Sequence, residues 1–153
     1  MKIKITVALL IAVISIGAAA IKVEEKPVAI NFYKGTYKQA LEEAKKQNKL
    51  IFIDAFASWC GPCRLLSKNT FTDKNVGQYF NEHFINLSID MEKGEGPMLA
   101  SKYKVTHFPT LIITDDGGTR ITFTVGYILP DDMLGFGKYG VQKAPGSQMA
   151  KGK

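Results

Sequence analysis

The order of elements legible in this 153-residue chain predicts an α/β domain with a central mixed β-sheet and helices on both faces. Three observations carry that expectation. A short, nearly unbroken apolar run, Leu50-Ile51-Phe52-Ile53-Asp54-Ala55-Phe56, is followed by a helical segment and a second strand. Such a β-α-β order gives parallel strands through a right-handed crossover. Further on, two strand patterns flank Asp115-Asp116-Gly117-Gly118, a hairpin signal that adds antiparallel neighbours. Without its N-terminal leader the chain keeps about 130 residues, enough for one compact domain and too few for two.

The leader is the first segment in order. Lys2 and Lys4 precede an apolar stretch from Ile5 to Ile16, closed by Gly17-Ala18-Ala19-Ala20. This is the pattern of an export signal over residues 1–20 with cleavage after Ala20, giving a periplasmic or secreted domain. The alternative is an uncleaved anchor that tethers the domain to the membrane. Residues 21–34 read as a lead-in, 35–141 as the domain and 142–153 as a flexible basic tail.

Within the domain, residues 36–49 set Tyr37, Ala40, Leu41 and Ala44 on one helical face and Glu42, Glu43, Lys45 and Lys46 on the other. Residues 49–57 form the central strand, and a helix carrying Leu65 and Leu66 starts at the cysteines. Asn69-Thr70 and Thr72-Asp73 mark a break, with Asp73 capping a further helix through Val76, Tyr79 and Phe80. Residues 84–90 alternate as a strand, 94–97 turn, and 98–103 form a short helix. The hairpin strands are 110–114 and 120–127. A last helix around 133–139 is opened by Pro130-Asp131-Asp132 and interrupted by Gly135 and Gly137.

The net charge of +6 is mostly terminal, because 15 basic and 14 acidic side chains lie between Ile21 and Gln142. A nucleic-acid partner, which would need a basic patch on the fold, is therefore not expected. No feature demands more than a monomer.

The chemistry lies in Trp59-Cys60-Gly61-Pro62-Cys63, which holds the only two cysteines of the chain. Cysteines three apart on a helix share a face and can close a disulfide with little backbone movement. Cys60 sits at the helix start, where unpaired N–H groups and the helix dipole favour a thiolate. Pro62 costs little in the first turn, and Gly61 leaves room for another chain to approach. A zinc module would need more ligands than His83 and His107 add, and c-type haem attachment needs histidine where Arg64 stands. No metal or cofactor is expected. An inert disulfide would close a two-residue loop that restrains the unfolded chain little.

With these residues in view, the chain resembles the thioredoxin superfamily over roughly 35–140, and more closely its exported members, such as the C-terminal domains of membrane thiol:disulfide interchange proteins. The resemblance rests on the Trp59–Cys63 motif, Asp54 six residues before Cys60, Phe108-Pro109-Thr110 before an apolar strand, and Gly126 after the hairpin. Two positions depart from the cytosolic pattern: Lys68 replaces a kinking proline and Asn86 replaces a lysine. The resemblance implies that Cys60 is the nucleophile and that Cys63, less exposed, resolves the mixed disulfide. It also implies that Asp54, its pKa raised by burial, exchanges a proton with Cys63. Pro109 would be a cis-proline facing the dithiol. Trp59, Gly61, Pro62, Phe108 and Pro109 would meet the substrate.

The expectation is an extracytoplasmic thiol:disulfide oxidoreductase that reduces protein disulfides and is recharged by a membrane thiol:disulfide electron donor. An oxidase or isomerase of the same class, and a non-enzymatic binding module on the same fold, are the alternatives.

Overall fold

A computed structural model describes residues 28–145; the expected signal segment 1–20 and residues 146–153 of the expected tail lie outside them. Strand β1 (Leu50–Phe56) is central, paired parallel to β2 (Phe84–Asp90) and antiparallel to β3 (Thr110–Thr114), with β4 (Arg120–Val125) outermost. Helices α1 (Tyr37–Gln47), α2 (Gly61–Leu65), α3 (Lys74–His83), α4 (Gly96–Tyr103) and α5 (Pro130–Lys143) cover the two faces.

Side chains alternate along a strand, so β1 feeds two cores. Ile51, Ile53 and Ala55 join Ala40 and Ala44 of α1 and Leu99 of α4. Phe52 points the other way, with Leu111 and Ile113 of β3, Val76 and Phe80 of α3 and Met133 of α5. Each fully buried Ile, Leu or Phe contributes roughly 1.5–3 kcal/mol by leaving water. By the same parity Asp54 shares the face of Phe52. It is a carboxyl set in an otherwise apolar strand.

Local chemistry fixes where elements start and stop. Thr36 and Gln39 form a reciprocal capping box at α1. Asp73 accepts from the Asn75 and Val76 amides at 2.9 and 3.0 Å, capping α3 as its residue type predicts. Between α2 and α3 the chain widens into a π-turn over Leu66–Thr70, which is the physical form of the expected break. In the hairpin, Asp115 Oδ1 accepts from Gly117 and Thr119 amides, and Gly118 takes a φ of 81° that other residues resist.

Two expectations change. Residues 30–33 belong to the packed unit rather than to a lead-in. Ile30 is buried, Phe32 bridges Asn86 on the outer margin of β2, and its ring meets Phe71 edge-on at 5.5 Å. Helix α5 runs on to Lys143, beyond the expected end; Gly137 and Gly140 are points of close approach and not interruptions, while Gly135 faces open space within the helix. A Cβ on Gly137 would lie 2.9 Å from the Phe80 ring, and one on Gly140 would lie 2.5 Å from Ile113. Among the described residues, no helix is long and apolar enough to cross a membrane.

Candidate active site

β1 ends in a tight loop, with the Cys60 amide donating to Ala57 O at 3.0 Å, and this turn hands the chain to α2. Cys60 is the N-cap of α2 and Cys63 lies in its first turn. They form a disulfide with Cα atoms 5.4 Å apart. The Cys60 sulfur accepts from the Cys63 amide at 3.2 Å. An N–H aimed at that sulfur, at the start of a helical run, favours negative charge there once the bond is reduced. Pro62 is the second helical residue, where its missing N–H has no intrahelical role, and a Cβ on Gly61 would meet nothing nearer than Arg64 at 3.9 Å.

The expected order of exposure is reversed in this oxidised state. Cys60 is 2% exposed and Cys63 7%. Phe56 and Phe108 pack against the cluster of Ala57, Cys60 and Cys63, and Trp59 meets Phe108 edge to face at 5.9 Å. The Phe108-Pro109 peptide is cis and Pro109 is buried. Trp59 itself is 65% exposed, and its Nε1 donates to Glu92 Oε2 at 2.9 Å. Glu92 went unnoticed in the sequence because 33 residues separate it from Trp59.

Asp54 lies on the face of β1 that carries the cysteine helix. It lines a cleft of about 240 Å³ together with Cys63, Ser58, Arg64, Ser67 and Ser88. Burial pushes its carboxyl up to about 6, and a bond from Ser88 Oγ to Oδ2 at 2.8 Å holds it back from rising further. Oδ1 is buried without a partner. A carboxyl of this kind can take and return a proton near neutrality, and Cys63 shares its cleft. Ser88, directly across the β1–β2 register from Asp54, is the partner that sequence reasoning missed. Asn86, where the resemblance placed a lysine, instead pairs with Phe52 and donates toward Asn81 Oδ1 at 3.2 Å and Phe80 O at 3.4 Å. His107 is exposed, with its ring engaged by Thr106 at 2.9 Å. Among the described residues no cluster of His, Cys, Asp and Glu is suited to a metal.

A family model described as a thioredoxin-like domain matches residues 37–140, well over half the chain. The chain belongs to that family, and its domain is a thiol:disulfide oxidoreductase. It is 30% identical over 103 residues to the thiol:disulfide interchange protein DsbD of Campylobacter jejuni, covering 67% of this chain and 18% of that protein. Identity to a thioredoxin of Echinococcus granulosus is 40% over 78 residues, covering 51% and 67%. The solution structure of a candidate disulphide-isomerase from Bacteroides thetaiotaomicron aligns with a TM-score of 0.68 and 41% identity, over 78% of this chain and 99% of that one. The chain spans less than a fifth of the interchange proteins it matches.

Proposed function

We propose that the protein works outside the cytoplasm, reducing disulfides of other proteins with electrons from a membrane thiol:disulfide donor. The observation that carries this reading is the Cys60 sulfur at a helix N-cap, with Asp54 in one cleft with Cys63. In the reduced protein, the Cys60 thiolate attacks a substrate disulfide. A Cys60–substrate bond forms, the substrate bond breaks, and one substrate sulfur leaves as thiolate. Asp54 takes the proton of Cys63, whose sulfur then attacks Cys60. The Cys60–Cys63 disulfide closes and the second substrate sulfur leaves. Two electrons have passed to the substrate, and the donor's dithiol restores them to the pair.

Trp59, Gly61, Pro62, Phe108 and Pro109 form the surface a substrate meets. The Phe108 backbone beside the cis peptide offers strand-like pairing to an extended segment. The export-type sequence of residues 1–20 and the similarity to interchange proteins support the location and the donor. Gly-Pro between the cysteines resembles reducing members of the family, which favours this direction. The alternative, a disulfide isomerase, is favoured by the 41% identity to the Bacteroides protein.

Replacing Cys63 with serine leaves the nucleophile and removes the resolving sulfur, so substrates accumulate as mixed disulfides on Cys60. Identifying them names the substrates; capturing none, with no reduction of insulin, sinks the enzymatic reading. The reduction potential decides direction. A reductant lies about 150 mV below a strong periplasmic oxidant of the same fold, and a value near that oxidant overturns the reductase.

A further inference from the structure

The Cys60 sulfur is the atom that an outside thiolate must reach, yet it is almost fully covered. Its cover is layered. Phe108 packs on the cysteine cluster, the Trp59 ring meets Phe108 edge-on, and the Trp59 Nε1–H ends on Glu92 Oε2. Trp59 is largely exposed, so burial does not fix where its ring stands.

Glu92, by contrast, stands on a fastened loop. The Met91 amide donates to Phe56 O at 2.8 Å, the Glu92 amide to Asp90 Oδ1 at 3.0 Å, and Lys93 Nζ reaches Asp90 Oδ2 at 3.2 Å and Ser58 Oγ at 3.3 Å. That loop is tied to Phe56 and Ser58, just before Trp59 in the chain. The backbone that carries the Glu92 carboxylate is thus held in place beside the Trp59 ring, which also meets Phe108.

We propose that Glu92 is a positioning residue of the dithiol site, holding the Trp59 indole against Phe108 so that the aromatic pair limits an outside thiolate's approach to Cys60. The inference rests on the reading that Cys60 exchanges with thiols of other molecules, and it adds what governs their access. The group that restricts access is a surface carboxylate outside the Cys60–Cys63 motif.

The test is the rate at which dithiothreitol reduces the oxidised full chain, itself ending as a cyclic disulfide while two protein thiols appear. Salt of about 0.3 M screens simple charge repulsion between Glu92 and the incoming thiolate. Glu92→Ala is expected to be reduced about fivefold faster, the factor that loss of one hydrogen bond represents. Glu92→Gln, whose amide oxygen accepts the same N–H, should restore the native rate. Trp59→Phe, which cannot donate, should match Glu92→Ala, and adding Glu92→Ala to it should change nothing more. Trp59 is the only tryptophan, so its anisotropy decay should show a freer indole in Glu92→Ala and a native one in Glu92→Gln. Equal acceleration by Ala and Gln, or none by Ala, overturns the proposal; should Glu92→Ala not fold, the Trp59→Phe rate decides it. Failure of the reductase reading shows separately, as an absence of trapped substrates on Cys60 in Cys63→Ser with Glu92 intact.

Discussion

Ser88 donates its hydroxyl to Asp54 Oδ2 at 2.8 Å from the neighbouring parallel strand, while Oδ1 of the same carboxyl is buried and unpaired. One oxygen is thus held by a hydroxyl and the other has no partner, in a residue that lines the same cleft as Cys63.

Asp54 makes stability depend on pH with a definite sign. Burial raises its carboxyl from 3.8 to about 6, so the native state keeps a proton that the unfolded chain has already released. Stability is undiminished below the unfolded value, falls as pH rises from about 4 to about 6, and stays lower above that. The gap corresponds to about 3 kcal/mol. Asp54→Asn should therefore raise the urea midpoint at pH 7.5 and leave it nearly unchanged at pH 4. Equal midpoints at pH 7.5 would refute the assignment.

Removing the Ser88 hydroxyl takes away the one bond that favours the charged form. If Asp54 serves as the proposed proton acceptor, Ser88→Ala should move the inflection in release of the mixed disulfide upward by about half a pH unit, the equivalent of a modest hydrogen bond. Single-turnover release of a labelled peptide across pH 5–8 measures it. A downward displacement would contradict the direction of the Ser88 contribution.

Gly77 admits no side chain. A Cβ there would fall 1.7 Å from Val28 O and 2.6 Å from Val28 C, both backbone atoms. Gly77→Ala should cost about 1–3 kcal/mol in urea unfolding, as overpacking does, and speed amide exchange in residues 29–33 relative to the sheet. Native exchange in that segment would show that it is not part of the packed unit.

Tyr103 ties α4 to the hairpin. Its hydroxyl donates to Gly118 O at 2.9 Å and meets the Tyr37 hydroxyl, and Lys102 Nζ lies 5.0 Å from the Tyr37 ring centre. Burial pushes the Tyr103 phenol well above its usual range, so it stays protonated as a donor. Tyr103→Phe should cost about 1–3 kcal/mol by leaving Gly118 O short of a partner, read as a lower urea midpoint with dithiothreitol reduction unchanged.

The sequence makes β1, the dithiol and the Asp73 cap legible because each is a local pattern: an apolar run, a spacing, a residue type at a boundary. It does not reveal Ser88 or Glu92, whose contacts arise only when a strand register and a loop bring them to partners 34 and 33 residues away. The near-complete burial of Cys60 and Cys63 is not legible either, because Phe108, which packs on them, comes from a distant segment. Gly135 and Gly137 look like interruptions of the last helix in a single chain. Only the nearness of Phe80 shows that Gly137 is a spacer, as the nearness of Ile113 does for Gly140.

The bridge from Phe32 to Asn86 has a consequence for association. It occupies the middle of one flank of the sheet, so among the described residues β4 offers the freer row of unpaired amides and carbonyls. A ribbon that grows without limit needs two such flanks on every copy. Contact along β4 alone would join two molecules and stop there, so an exposed strand carrying Phe123 and Val125 does not by itself commit this domain to fibres.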